Sequence, residues 1–247
     1  MTYEIHITRR CNFKCPSCDC LCNVVNDPTS DLTMDEVVDI AMQIESIDPN
    51  VKCIRVIGGE PTLNDKCFDI CKYVKEHIKA EWFELGTNHT NNDISGRIEK
   101  DLGFKVLAQD GSTDPSATAA NKIKKHRNLY ISPKCEKKEM KDPYFCVGLS
   151  DLCGIAVHKY KGRLVWIWCG AGSSVCKLLK REDFLKPTLK DLFASGFEDF
   201  ANDICCNCYK MLKENIYAKD TPDFVSECFK EGLEDMKKYN SEVNKHK

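Results

Sequence analysis

No stretch of this 247-residue chain approaches the roughly 18–20 consecutive apolar residues that a membrane-spanning helix needs. Its best apolar run, residues 164–169 (LVWIWC), is only strand length. Charge of one sign is also missing, because 36 Lys+Arg stand against 38 Asp+Glu, for a net charge of −2. That balance removes the electrostatic footprint of a whole-domain nucleic-acid binder. No GxxxxGK[ST] phosphate loop occurs, and there is no internal repeat or low-complexity linker. Residues 1–10 (MTYEIHITRR) lack the basic start and apolar run of a secretory signal. The expectation is therefore a soluble, cytoplasmic protein that binds neither nucleic acid nor membrane. With 42% hydrophobic residues the chain can fill a core.

What the chain has in excess is cysteine, 17 residues in all. An odd count in a reducing compartment argues against a disulfide framework and for metal.

The first half alternates strands and helices. Residues 3–8 read as a strand with Tyr3, Ile5 and Ile7 on one face. Thr33 and Glu36 have capping-box spacing, followed by Val37, Ile40, Ala41 and Ile44 at helical period. Residues 51–57 predict a second strand and 64–78 a helix with Cys67, Ile70, Cys71, Val74 and Ile78 on its apolar stripe. A strand at 81–85, a helix through Ile94, Ile98 and Leu102 stopped by Gly103, and strands at 104–108 and 129–132 complete the series. This alternation predicts an α/β fold with a parallel sheet, open or partly closed as a barrel and short of eight repeats. Beyond about residue 133 cysteines thicken. A hairpin over 155–158 and 164–168 turns at Lys161-Gly162, and 222–239 reads as a charged helix.

The sharpest motif is Cys11-Asn12-Phe13-Lys14-Cys15-Pro16-Ser17-Cys18, directly after the first strand. Three thiolates on one short loop suit one metal centre. A [4Fe–4S] cluster held by three of them leaves one iron open to a small molecule. Structural zinc would require a fourth ligand, for which Cys20 and Cys22 are available. The second predicted strand runs into Gly58-Gly59-Glu60-Pro61 at the same carboxyl edge. Paired glycines permit close backbone approach to a ligand, and the glutamate offers an acceptor.

Strand–CxxxCxxC–helix followed by strand–GGEP resembles the radical S-adenosylmethionine (radical SAM) superfamily, closely over the first 65 residues. The resemblance implies a partial (β/α)6-type TIM barrel. Cys11, Cys15 and Cys18 would hold a [4Fe–4S] cluster at its open end, and S-adenosylmethionine would chelate the free iron. Gly58, Gly59, Glu60 and Pro61 align with the segment that meets the cofactor's amino group. Thr87-Asn88 resembles the family's polar edge on the third strand, with Gln109 at the end of the fourth. Ser17 stands where the family usually has an aromatic residue, which leaves a backbone contact to adenine. The chemistry implied is reductive cleavage to a 5′-deoxyadenosyl radical that abstracts hydrogen from a substrate.

Cys153 and Cys169 flank the predicted hairpin, and Cys205 and Cys208 form a CxxC pair. This arrangement resembles the SPASM/twitch auxiliary-cluster domains and implies a second [4Fe–4S] cluster on those four residues, in a small cysteine-rich hairpin/helix domain. Cys146, Cys176 and Cys206 are the substitutes in an altered register, and zinc on the same four is the alternative. The readings divide the chain into 1–145 for the barrel, 146–210 for the twitch-like unit and 211–247 for a C-terminal helical segment.

Cys20, Cys22 and Cys176 are candidate hydrogen-atom donors, whereas Cys53, Cys67 and Cys71 read as core. Gly170-Ala171-Gly172-Ser173-Ser174-Val175 mimics a dinucleotide fingerprint, but Val175 takes the third glycine position, and a turn is expected there. The lysine- and arginine-rich stretch 122–141 reads as a solvated face, with docking of an electron donor such as flavodoxin or ferredoxin as the alternative. No leader-peptide-recognition domain is apparent. A small-molecule or sugar-like substrate is expected over a peptide, with a peptide-modifying maturase as runner-up. A two-cluster electron carrier and a zinc-stapled binding module are the non-enzyme alternatives, and neither uses Gly58–Pro61.

Overall fold

The computed structural model describes residues 1–13, 20, 22, 27, 29–108 and 154–205, with isolated positions at 231, 234, 235, 238, 241 and 242. The predicted strand at 129–132, the basic stretch 122–141 and most of the 222–239 helix lie outside the described residues.

Three βα repeats open the chain. β1 (Thr2–His6) is followed by α1 (Met34–Ile47), β2 (Val51–Ile57) by α2 (Cys67–His77), and β3 (Ala80–Thr87) by α3 (Asn92–Leu102), before β4 (Lys105–Ala108). α1 starts where the sequence says it should. Thr33 Oγ1 accepts from Glu36 N while the Glu36 side chain accepts from Thr33 N, a reciprocal cap worth about 1 kcal/mol. α3 ends at Gly103, whose left-handed backbone (φ 67°) closes the last turn.

β5 (Ile155–Tyr160) and β6 (Arg163–Ile167) form the expected hairpin. They are followed by α4 (Gly170–Leu178), α5 (Leu189–Ser195), the single turn α6 (Glu198–Phe200) and a π-helical turn, Ala201–Cys205. The turn expected at 170–175 is therefore the first part of a helix. Glycine and serine are weak helix formers, but burial of the segment's apolar side outweighs that propensity.

The described strands form one sheet in the order β4-β3-β2-β1-β5-β6. β1 to β5 run parallel, and β6 returns antiparallel to β5. The hairpin from the cysteine-rich part is thus hydrogen-bonded directly onto β1. The sheet is parallel-rich and α/β, as a partial barrel requires.

Register explains the layers. Tyr3 lies beside Ile54 and Ile155, and Ile54 beside Phe83; Ile5 lies beside Val56 and Val157, and Val56 beside Leu85. These apolar rows form one core with Val37, Ile40 and Ile44 of α1, Ile70, Cys71 and Val74 of α2, Ile98 of α3, and Leu189 and Leu192 of α5. Each large aliphatic side chain buried there contributes about 1.5–3 kcal/mol. Cys53, Cys67 and Cys71 are buried, as expected of packing residues. A second apolar cluster joins Ala156 and Ile167 to Val175, Cys176 and Leu178 of α4, with Phe184, Phe200 and Ile204. α4 therefore covers the other face of the sheet over the hairpin.

Candidate functional site

Beyond His6 the chain continues along the carboxyl ends of the strands toward Cys11. Ile7 N donates to Ile57 O (2.9 Å), Gly59 N to Thr8 O (2.9 Å) and Glu60 N to Arg10 O (2.8 Å). A Cβ on Gly58 would collide with the Thr8 carbonyl oxygen, and one on Gly59 with that of Arg10. The paired glycines thus let one chain segment approach another, where the sequence suggested close approach to a ligand. They fix Cys11 at the end of a hydrogen-bonded extension of β1. Cys11 is partly exposed, and Phe13 N donates to its sulfur at 3.4 Å.

The same extension is held from its other side. Thr8 Oγ1 donates to Asp31 Oδ1 (2.6 Å), Arg10 pairs with Asp31 (2.5 Å) and also donates to Leu63 O, and Arg9 N donates to Ser30 Oγ (2.6 Å).

Glu60 is fully buried, and its carboxylate accepts from four protein donors. Thr62 N (3.1 Å), Thr62 Oγ1 (2.5 Å) and Thr87 Oγ1 (2.7 Å) donate to Oε1, and Asn88 N (2.7 Å) donates to Oε2. Glu60 thereby clamps the ends of β2 and β3 together. Pro61 opens the short 3-10 turn Pro61–Leu63 that follows. Asn88 Nδ2 donates to Asn12 Oδ1 (2.8 Å), and Asn12 Nδ2 donates to Thr90 Oγ1 (3.0 Å), tying the cysteine loop to the β3 edge. Thr87 and Asn88 thus stand at the expected edge, with their side chains spent on the protein.

The alternation in the sequence puts Tyr3, Ile5 and Ile7 on one face of β1 and Glu4, His6 and Thr8 on the other. All six are buried. The signal was present as charged residues at matching positions of adjacent strands. Glu4 lies opposite Arg55, Arg55 opposite Glu84, and His6 opposite His158. Arg55 bridges both carboxylates, at 2.9 Å to Glu4 Oε1 and 2.7 Å to Glu84 Oε2. A buried ion triad of this kind organises an interior more than it stabilises a fold.

His6 Nδ1 lies 3.8 Å from Cys20 Sγ. Burial opposes the charged imidazole, but the contacts with Cys20 and Glu4 outweigh it and push His6 up to about 9. Hydrogen bonding with Cys22 lowers the Cys20 thiol well below its ordinary value against burial, with His6 and Arg9 adding to the effect. The opposite holds deeper along the hairpin. Burial drives both His158 and Lys177 well below their ordinary values, aided in each case by the Arg9 charge.

Cys169 caps the start of α4 and is partly exposed, and Cys205 ends the π-helical turn. Cys176 is fully buried in the apolar cluster, where burial pushes its thiol up. Cys15, Cys18, Ser17, Gln109, Cys146, Cys153, Cys206 and Cys208 lie outside the described residues. Among the described residues no three His, Cys, Asp or Glu side chains are grouped to hold a metal, and no helix is long and apolar enough to cross a membrane.

The arrangement to be matched is a cysteine loop on an extension of β1, laced to a Gly-Gly-Glu-Pro segment after β2 and a Thr-Asn edge after β3. Residues 5–107 match the model of the Radical SAM superfamily. That span contains the Cys11 loop, Gly58–Pro61 and Thr87-Asn88. Among solved structures, the chain is similar in fold to one described as "Crystal structure of BtrN in complex with AdoMet and 2-DOIA". The TM-score is 0.50 at 17% identity, over 91% of each chain. No significant match was found among curated proteins.

Proposed function

We propose that this chain is a radical SAM enzyme acting on a small-molecule or sugar-like substrate. The observation that carries the reading is the lacing of the Cys11 extension to Gly58–Glu60, with Cys11 at the carboxyl edge of a parallel sheet, where α/β folds bind ligands. The family match over this same span supports it. So does a fold neighbour whose title names AdoMet, the same cofactor.

Cys11, Cys15 and Cys18 would hold the [4Fe–4S] cluster, and the donor chemistry of the described part fits, with a partly exposed thiol at the sheet edge. Together with S-adenosylmethionine the cluster supplies a 5′-deoxyadenosyl radical by reductive cleavage of the sulfonium. The chain's own residues do the positioning. Gly58 and Gly59 set the height of the cysteine loop above the sheet. Glu60 locks the ends of β2 and β3, so the backbone of Gly58–Pro61 is the part available to a cofactor amino group. Thr87 and Asn88 brace that edge, with Gln109 and Ser17 completing the cofactor's surroundings. The buried interior excludes the water and stray hydrogen donors that would quench a radical. Cys153, Cys169, Cys205 and Cys208 would carry an auxiliary cluster in a twitch-like unit, and a flavodoxin or ferredoxin would supply electrons.

Metal analysis after anaerobic purification tests the reading. About eight irons per chain with equivalent sulfide are expected from the two ligand sets. Cys208→Ala should remove about half of that iron, and zinc in place of iron would sink the proposal.

A further inference from the structure

The segment 170–177 is the one sequence motif that the proposed chemistry leaves unused. As a helix it sets Gly170, Ser173, Ser174 and Lys177 at positions i, i+3, i+4 and i+7, on one side of α4. Val175, Cys176 and Leu178 pack into the apolar cluster. The polar stripe is as deeply buried as the apolar one, with Ser173, Ser174 and Lys177 exposed by 2%, 0% and 3%.

Its hydrogen bonding is incomplete. His158 Nε2 lies 2.9 Å from both Ser173 Oγ and Lys177 Nζ. A ring nitrogen has a single lone pair or a single N–H, so it cannot complete both contacts. Lys177 keeps at least one N–H group beyond this contact, and its other polar neighbour among the described residues is the face of Tyr160, 4.5 Å away. Ser174 Oγ is buried with no hydrogen-bond partner among the described residues. Arg9, 5% exposed, reaches this group through Cys20 and His6, whose ring lies 6.2 Å from that of His158. Its side-chain acceptor among the described residues is the Cys20 carbonyl. No carboxylate among the described residues pairs with Arg9 or Lys177, since Glu4 and Glu84 are committed to Arg55. Buried donors and cations in excess of acceptors are costly unless an anion completes them.

We propose that Ser173, Ser174 and Lys177 of α4, with His158 and Arg9, form a subsite for an oxyanion, either a carboxylate or a phosphate group. Arg9 lies two residues before Cys11, so a molecule anchored here is held in the interior next to the cysteine loop. That the molecule is the substrate rests on the proposed function; that the subsite takes an oxyanion does not. The site selects by donors: Ser173, Ser174 and Lys177 lie on one side of α4 and offer N–H and O–H groups, and a neutral hydroxyl has fewer acceptor lone pairs to give them than an oxyanion.

Isothermal titration of the full-length, anaerobically reconstituted protein decides the matter, with inorganic phosphate in one arm and acetate in the other, at ionic strength held constant with chloride. Saturable one-to-one binding is expected in at least one arm, and the stronger arm assigns the group. Lys177→Met should weaken it at least tenfold, Lys177→Arg should retain most of it, and Met at the exposed Lys190 should leave it unchanged. Absence of saturable binding of either anion to the wild type overturns the subsite, as does equal affinity in folded Lys177→Met. Should Lys177→Met fail to fold, the wild-type titration together with Ser174→Ala decides in the same way. Formation of 5′-deoxyadenosine by the wild type is read in parallel. Its absence with oxyanion binding intact would contradict the proposed function alone.

Discussion

Glu60 shows how one buried side chain can tie two strand ends together. Four protein donors converge on its carboxylate, from the turn that follows it and from the end of β3. Charge-assisted bonds of this kind are the strong ones, and removing the acceptor strands several buried donors. Glu60→Ala should therefore lower stability by on the order of 3 kcal/mol in chemical denaturation; a value near zero would mean that the clamp is dispensable. His158 gives a pH signature. Its folded value is held well below the ordinary 6.5 by burial and by neighbouring cations. Below pH 6.5 the unfolded chain takes up a proton that the folded chain refuses. The stability that His158 contributes is therefore present above that pH and lost as pH falls, by up to about 1.4 kcal/mol per unit. Denaturation of the apoprotein at pH 5 and 7 checks this, because His158→Gln should flatten the slope. The placement of Cys11, Gly58–Pro61 and Thr87-Asn88 along one sheet edge was legible, because each follows directly on a strand readable from its own residues. Sequence alone could not show that Glu60 joins two strand ends, because two of its four donors come from 27 and 28 positions away.

At the scale of elements, α1 and α3 announced themselves through a capping box and a C-terminal glycine, both local signals. α4 did not, because its glycines and serines speak for a turn and only the packing of Val175, Cys176 and Leu178 makes it a helix. The inner faces of β1 and β2 were hidden for a related reason. Charged residues alternating with apolar ones look the same whether they face water or a polar interior. α4 comes close to that interior at Gly170, where a Cβ would fall 2.7 Å from Glu4 Oε2 and 2.8 Å from His6 Nε2. Gly170→Ala should destabilise the protein by about 1–3 kcal/mol through that overlap. Gly96, an exposed glycine inside α3 with open space around it, supplies the control. Gly96→Ala should stabilise by about 0.4–1 kcal/mol. Thermal denaturation of the pair separates steric closeness from helix propensity, and a shift of the same sign in both would count against the approach of α4 to β1.

For the whole molecule, the sheet is the unit that matters. The hairpin from the cysteine-rich half joins β1, the strand that carries the Cys11 loop, so the two halves meet at the element nearest the proposed chemistry. Lys159 reinforces the joint through an ion pair with Glu36 of α1 (2.8 Å), and Leu189 N of α5 donates to Gln43 of the same helix (2.9 Å). This long-range pairing was not legible, because β1 and β5 are about 150 residues apart and parallel pairing leaves no turn to mark it. The consequence is an interior shared by both halves, with Cys11 at its edge and the polar stripe of α4 inside. The most direct measurement of the central claim is 5′-deoxyadenosine formed from S-adenosylmethionine by the reconstituted protein with dithionite. The account predicts its formation by the wild type and its loss in Cys15→Ala; no 5′-deoxyadenosine from iron-loaded wild type, or an equal yield from Cys15→Ala, would contradict it.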